Sequence, residues 1–173
     1  MIGKKTHEEL NRQIQIELES SYLYLAMATY ADSLGLEGMS NWFRIQSQEE
    51  LSHAIKFLNH LRDRGAAVQL APLGLTKTSW GSAREAFEEA LAHEQFITSR
   101  IHELIAVAQS EKDFSAVPML NWFVNEQIEE EATASKIAHQ LKLIGDNGQG
   151  LLMLDRELAA RTFVYPPPAL TAP

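Results

Sequence analysis

Apolar residues recur every three or four positions through four long stretches of this chain, and glycine and proline fall outside them. Residues 4–34, 39–64, 82–117 and 119–144 contain neither breaker. An uninterrupted period near 3.6 predicts four α-helices, each roughly 25 to 30 residues long. Between them lie "LGLEG" at 34–38, "GAAVQLAPLGLTKTSWG" at 65–81, "SEKDFSAVP" at 110–118 and "GDNGQG" at 145–150. Pro118 suits a first helical turn, where its missing N–H has no partner to lose, with Ser115 as the expected cap.

The first and third connections are short, so the helices they join are expected to be antiparallel neighbours. The second, about 17 residues, has no helical period, and a structureless loop of that length needs a reason. A crossover along the bundle supplies one, and it makes helices two and three parallel. The predicted fold is all-α: a four-helix up-down bundle with one long crossover between helices 2 and 3. A short fifth helix is expected at 148–162, with Leu151, Leu154 and Leu158 on one face. Residues 1–162 form the expected single domain, and "FVYPPPALTAP" at 163–173 is a Pro-rich tail, expected to be extended or disordered.

Each predicted helix interrupts its own apolar stripe near the middle. Helix one reads Leu10, Ile14, Glu17, Ser21, Tyr24, Ala28 and Ala31. Helix two passes from Met39 and Phe43 over Gln46, Glu50 and His53 before Phe57 and Leu61 restore it. Helix three carries Glu94 between Ala90 and Ile97, and helix four carries Gln127 and Glu130 between Phe123 and Ala134. In an up-down bundle the middles of the helices share one level, so Glu17, Glu50, His53, Glu94, Gln127 and Glu130 should converge. A buried carboxylate costs several kcal/mol unless paired, or must rise in pKa and protonate. The stripes offer no Lys or Arg, since Arg44, Lys56 and Lys136 lie off them. Four carboxylates with an imidazole and an amide therefore call for cations, and an oxygen-rich set with one nitrogen suits Fe, Mn or, less selectively, Zn.

Composition narrows the picture further. With no cysteine there are no disulfides and no thiolate ligands. A net charge of −8 repels phosphate backbones and attracts cations, which disfavours nucleic acid as a partner. No apolar run approaches membrane-spanning length, and "MIGKKTHEEL" lacks the apolar segment of a signal peptide, so a soluble, cytoplasmic protein is expected.

The motifs "IELESSYLYLAM" around Glu17, "QEELSHAIKFLNHLRDRG" around Glu50 and His53, "LAHEQFIT" around Glu94 and "NWFVNEQIEEE" around Gln127 and Glu130 resemble those of the non-haem bacterial ferritins. The resemblance spans about residues 5 to 162, with the same helix order, crossover length and short fifth helix. It implies that Glu17, Glu50 and His53 hold a first iron and that Glu50 bridges to a second, completed by Glu94 and Glu130. Gln127 would sit beside the pair. It also implies a third, outer iron site from Glu49, Glu126, Glu129 and Glu130, and a hydrogen bond from Tyr24 to a ligand carboxylate. Iron storage, ferroxidase activity with O2 or H2O2 and a hollow twenty-four-subunit homo-oligomeric shell are implied in the same way.

Some positions depart from related patterns. Bacterioferritins place a haem-ligating Met just before the ligand His; here that residue is Ser52, so no haem is expected. They carry a second E-x-x-H, whereas Glu94 is followed by Gln95, Phe96 and Ile97. Val117 and Leu120 stand near the positions where animal ferritins line a channel with acids, which leaves the route of iron into a shell open. His7, His60, His93, His102 and His139 lack surrounding acids and are expected at the surface. Two competing readings are a di-iron oxidase or peroxidase without storage, and a non-catalytic helical scaffold.

Overall fold

The computed structural model describes residues 2–74 and 76–163, so the Pro-rich tail lies outside the described residues from 164 onward. The chain forms α1 (Lys4–Ser33), α2 (Glu37–Asp63), α3 (Ala83–Ser110), α4 (Val117–Ile144) and α5 (Gly148–Leu158), with no strand among the described residues. α1 packs on α2 and α3 on α4, α1 also meets α3, and α5 lies against α2 and α4. None of the described helices is long and apolar enough to cross a membrane.

The long connection between α2 and α3 runs the length of α1, and its bonds to that helix come in order. His7 Nε2 meets the Ala67 carbonyl at 2.7 Å, Gln69 N–H donates to Asn11 Oδ1 at 2.6 Å, and Gln15 donates to the Pro72 carbonyl at 3.3 Å. Further along, Gly74 N–H donates to Glu19 Oε1 at 3.2 Å, and the Trp80 ring packs on Tyr30 with centroids 5.3 Å apart. The connection therefore climbs from the start of α1 to its end, and α3 sets off in the same direction as α2. This is the crossover the loop length predicted.

Helix ends are satisfied by local and distant groups. Ser82 Oγ accepts from Glu85 N–H at 3.1 Å to cap α3, while Glu85 reaches back to Gly81 N–H at 2.7 Å. Asn147 caps α5 through Gly150 N–H at 3.1 Å. α1 has no side-chain cap of its own. Glu111, past the end of α3, accepts from Lys5 and Thr6 N–H at 3.1 and 2.7 Å instead. For α4 the expected cap is wrong: Ala116, not Ser115, occupies the N-cap, with Pro118 in the first turn as expected. Asp113 sets that turn. Its carbonyl accepts from Ala116 N–H at 3.1 Å while Arg64 grips its carboxylate at 2.7 and 2.9 Å, leaving Ser115 exposed.

The apolar core divides into two clusters. One holds Tyr24, Met39, Trp42, Phe43, Phe87, Leu141, Leu154 and Leu158; the other holds Leu10, Ile14, Phe57, Leu61, Ile97, Ile101 and Phe123. Ring stacking firms each, with Phe43 on Phe87 at 4.4 Å and Phe57 on Phe123 at 4.2 Å. Between them, at mid-height, lies a buried layer of polar side chains.

α5 touches α2 backbone to backbone. A Cβ built on Gly38 would lie 1.7 Å from the Asp155 carbonyl oxygen, so only glycine permits this approach. The Asp155 carboxylate then accepts from Met39 N–H at 2.8 Å, an acid at a helix N-terminus where the dipole favours it. Gly38→Ala should push α5 off α2 and cost about 1–3 kcal/mol, as overpacking of a close contact does. Hydrogen exchange checks this: amides of residues 151–158 should lose protection before those of α1, and unchanged protection would refute the contact's importance.

Candidate metal centre

Four helices deliver the polar layer, one turn or less from α1, α3 and α4 and two turns from α2. Glu17 comes from α1, Gln46, Glu50 and His53 from α2, Glu94 from α3, and Gln127 and Glu130 from α4, and all are buried. Helical spacing brings them to one level. On α2 the separations of four and three residues stack Gln46, Glu50 and His53 on a single face.

Ligand atoms of Glu17, Glu50 and His53 lie within 4.8 Å of one another, and a second such group comprises His53, Glu126 and Glu130. His53 joins the two, with Nδ1 3.6 Å from Glu50 Oε2 and Nε2 3.9 Å from Glu126 Oε1. Glu94 joins neither group, although its charge acts on Glu50 and Glu130; it accepts a hydrogen bond from the Tyr24 hydroxyl and a 3.2 Å bond from Gln127 Nε2. Tyr24 thus bonds Glu94, one of the buried carboxylates of the layer. Burial, then the neighbouring charge of Glu94, pushes the Tyr24 pKa well up, which keeps its hydroxyl a donor.

Electrostatics in the layer is dominated by burial and like charge. Burial pushes Glu17 well above the usual carboxylate range, with the adjacent Glu50 adding to it. Burial likewise raises Glu50, followed by the charges of Glu94 and Glu130. Glu130 is pushed up to about 8 by burial and then by Glu94. Among the described residues no Lys or Arg pairs with Glu17, Glu50, Glu94 or Glu130. Neutral amides serve them instead: Gln13 donates to Glu17 Oε1 at 2.9 Å, and Gln46 donates to Glu130 Oε2 at 2.7 Å and Glu50 Oε1 at 3.4 Å. Glu17 Oε2 and Glu50 Oε2 are buried with no hydrogen-bond partner. Two orphaned carboxylate oxygens beside an imidazole suit a hard or borderline divalent ion.

The outer acids are arranged differently. Glu126 is half-buried beside His53, whereas Glu129 is exposed and joins neither group. Glu49 points to Arg161, just beyond α5, whose Nη2 donates to Glu49 Oε2 and whose Nη1 donates to Gln46 Oε1 at 2.9 Å. The four stripes carry no basic residue, yet a guanidinium from outside them reaches the edge of the layer. Sequence reading assigned no role to Gln13, Gln46 or Arg161. The first two had a signal in the repeated spacing of a glutamine four residues before a stripe glutamate, "QIQIE" and "QSQEE"; Arg161 had none. His93 is also less superficial than expected, bonded to Ser20 Oγ at 2.8 Å with its ring edge-on to Tyr24 at 5.9 Å. His7 and His60 are partly buried too, while His102 and His139 are exposed.

An up-down bundle with one crossover and carboxylates converging at mid-height defines the ferritin-like class of proteins. The family model for the ferritin-like domain matches residues 7–144. Bacterial non-heme ferritins of Staphylococcus aureus (strain USA300) and Staphylococcus haemolyticus (strain JCSC1435) are each 37% identical over 163 residues, covering 94% of this chain and 98% of theirs. Among solved structures, a closed form of the Archaeoglobus fulgidus ferritin, engineered by site-directed mutagenesis, superposes with a TM-score of 0.93 at 48% identity, covering 95% of this chain and 100% of that one. The open-pore ferritin of the same archaeon gives a TM-score of 0.93 at 48% identity over 94% of this chain and 100% of that one. The chain belongs to the ferritin family, whose function is iron storage.

The raised carboxyl pKa values carry a pH signature. Folding makes these groups hold their protons more tightly than the unfolded chain does. Their contribution to stability is therefore whole below the ordinary carboxylate value of 4.5 and is lost as pH rises through about 8 for Glu130. The metal-free protein should melt at a lower temperature at about pH 8.5 than at about pH 5.5. Glu130→Gln, which cannot ionise, should lose less over that span. Thermal melts in chelator check this, and an equal drop in both proteins would show that Glu130 stays charged when folded.

Proposed function

We propose that the chain is a ferroxidase that oxidises Fe(II) at a pair of sites within each bundle and passes the product to a mineral stored inside an oligomeric shell. The observation that carries this reading is the pair of unbonded, buried oxygens on Glu17 and Glu50 beside His53. Glu17, Glu50 and His53 bind the first Fe(II). Glu50 bridges to the second, with Glu94 and Glu130 completing that site and Gln127 and Tyr24 fixing the Glu94 carboxylate. Ions held by a bridging carboxylate sit about 3.5–4 Å apart, close enough to act on one oxidant.

Fe(II) is the substrate, and O2 or H2O2 accepts one electron from each ion of the pair. Developing ferric charge is favoured by carboxylates that are already in place and shielded from water. Metal binding displaces the protons that keep the raised carboxyls neutral, so loading the site releases acid. Gln13 and Gln46 hold one oxygen each of Glu17 and Glu50 and leave the other for the metal, as outer partners of metal ligands do. The product leaves for an interior cavity, hydrolyses and accumulates as ferric oxide. A shell of twenty-four copies is the assembly inferred from the family, and a cytoplasmic, haem-free protein is the inferred setting.

Glu50→Ala should slow the fast phase of Fe(II) oxidation by at least about 10-fold, since losing even an outer partner of a ligand costs about 10- to 100-fold. Stopped-flow absorbance of ferric product measures this, and a rate within twofold of the parent would remove Glu50 from the site. Aerobic titration separates storage from simple oxidation. A storage protein keeps hundreds of irons per particle in solution, whereas a plain oxidase saturates at about two per subunit.

A further inference from the structure

The polar layer has an edge where no ligand pair forms, and Arg161 fills it. The residue follows α5, and its backbone carbonyl accepts from Asn41 Nδ2 at 3.0 Å. The guanidinium lies over the Trp42 ring, 4.6 Å from its centroid. From there Nη1 donates to the Trp42 carbonyl at 3.3 Å and to Gln46 Oε1 at 2.9 Å, while Nη2 donates to Glu49 Oε2. Both partners of the pair are mostly buried, with side chains 23% and 24% exposed, so solvent screens the pair only in part.

Two consequences follow from the fork. Gln46 has one acceptor and one donor end, and Arg161 takes the acceptor. The amide nitrogen must then face inward, where it donates to Glu130 Oε2 at 2.7 Å and to Glu50 Oε1 at 3.4 Å. Glu49, meanwhile, is committed to a cation that belongs to the protein. Its charge bears on Glu130 and the charge of Glu126 bears on it, so an unpaired Glu49 would add a free carboxylate at the edge of the group His53, Glu126 and Glu130.

We propose that Arg161 is a specificity-determining and positioning residue. It serves as a built-in cation that closes the outer acidic cluster to a third metal ion and orients Gln46 toward the inner pair. This rests on the reading that the inner residues hold two ions. Arg161 touches neither of those ions. It acts through Gln46 on Glu50 and Glu130, and through Glu49 on the number of ions the bundle accepts.

The test counts redox-inert Zn(II), so that turnover plays no part. Assembled, metal-free protein is titrated with Zn(II) at neutral pH, and bound metal per subunit is measured after gel filtration. The parent should bind two ions tightly and Arg161→Gln three. The double variant Arg161→Gln/Glu49→Gln should return to two, because the third ion needs the freed carboxylate. A third ion in the parent, or only two in a well-folded Arg161→Gln, would overturn the proposal. Should Arg161→Gln fail to assemble, Glu49→Gln alone decides: two ions uphold Arg161 as the occupant of that carboxylate, and loss of an ion shows that Glu49 was a ligand all along. A parent that binds no zinc would sink the metal-centre reading itself, an outcome distinct from any of these.

Discussion

Placing four carboxylates at the dry middle of a helical bundle is costly, and most of this structure exists to make that arrangement tolerable. Each buried acid carries a desolvation penalty of several kcal/mol, and like charges at the same level add to it. A lysine ammonium would relieve the strain most directly, but it would also occupy the oxygens. The chain uses neutral donors instead. Gln13 bonds Oε1 of Glu17 and Gln46 leans on Oε1 of Glu50, while Oε2 of each carboxylate is left bare. The two oxygens of one side chain thus do different work, one fixing orientation and the other remaining available to a cation. Partial protonation, expressed as the raised pKa values of Glu17, Glu50 and Glu130, lowers the charge the layer must bear.

Such a layer works only if four helices are held in register. Two apolar clusters clamp it from above and below, with stacked rings nearest the acids: Tyr24, Phe43 and Phe87 on one side, Phe57 and Phe123 on the other. The crossover pins α1 along most of its length, and Arg64 ties the end of α2 to the turn that opens α4. Each of these fixes axial position, the one coordinate that amphipathic packing leaves soft. A bundle slipped by a single helical turn would still bury its leucines but would scatter Glu17, Glu50, Glu94 and Glu130 over different levels.

Much of this was legible in the sequence because the fold speaks in periods. Glycine and proline bracket four helical runs, and a carboxylate at the centre of each apolar stripe stands out where burial forbids one. The crossover could be read from loop length. What escaped reading depends on pairs that lie far apart in the chain or on groups whose role sequence does not specify. Glu111 caps α1 from more than a hundred residues away, a relation no local pattern contains. Ser115 had the right chemistry for a cap and lost to Ala116, because the turn was already set by Asp113 and Arg64. A glutamine in a stripe reads equally well as a ligand, a donor or filler; only position separates Gln127, which holds Glu94, from Gln46, which holds Glu130.

The fifth helix gains meaning from the same constraint. Its contacts fall on α2 in sequence: Gly38 and Met39 at Asp155, then Asn41, Trp42, Gln46 and Glu49 at the segment ending in Arg161. The series stops one residue short of Glu50. α5 and the three residues after it are therefore a splint along the half of α2 that leads to the buried acids, and their docking and the geometry of the acids form one mechanical unit. Helix α2 contributes more of the polar layer than any other helix, with Gln46, Glu50 and His53 all on one face. A helix too short to be stable alone is placed where a shift of its partner would be felt first by the buried acids and the imidazole of the layer.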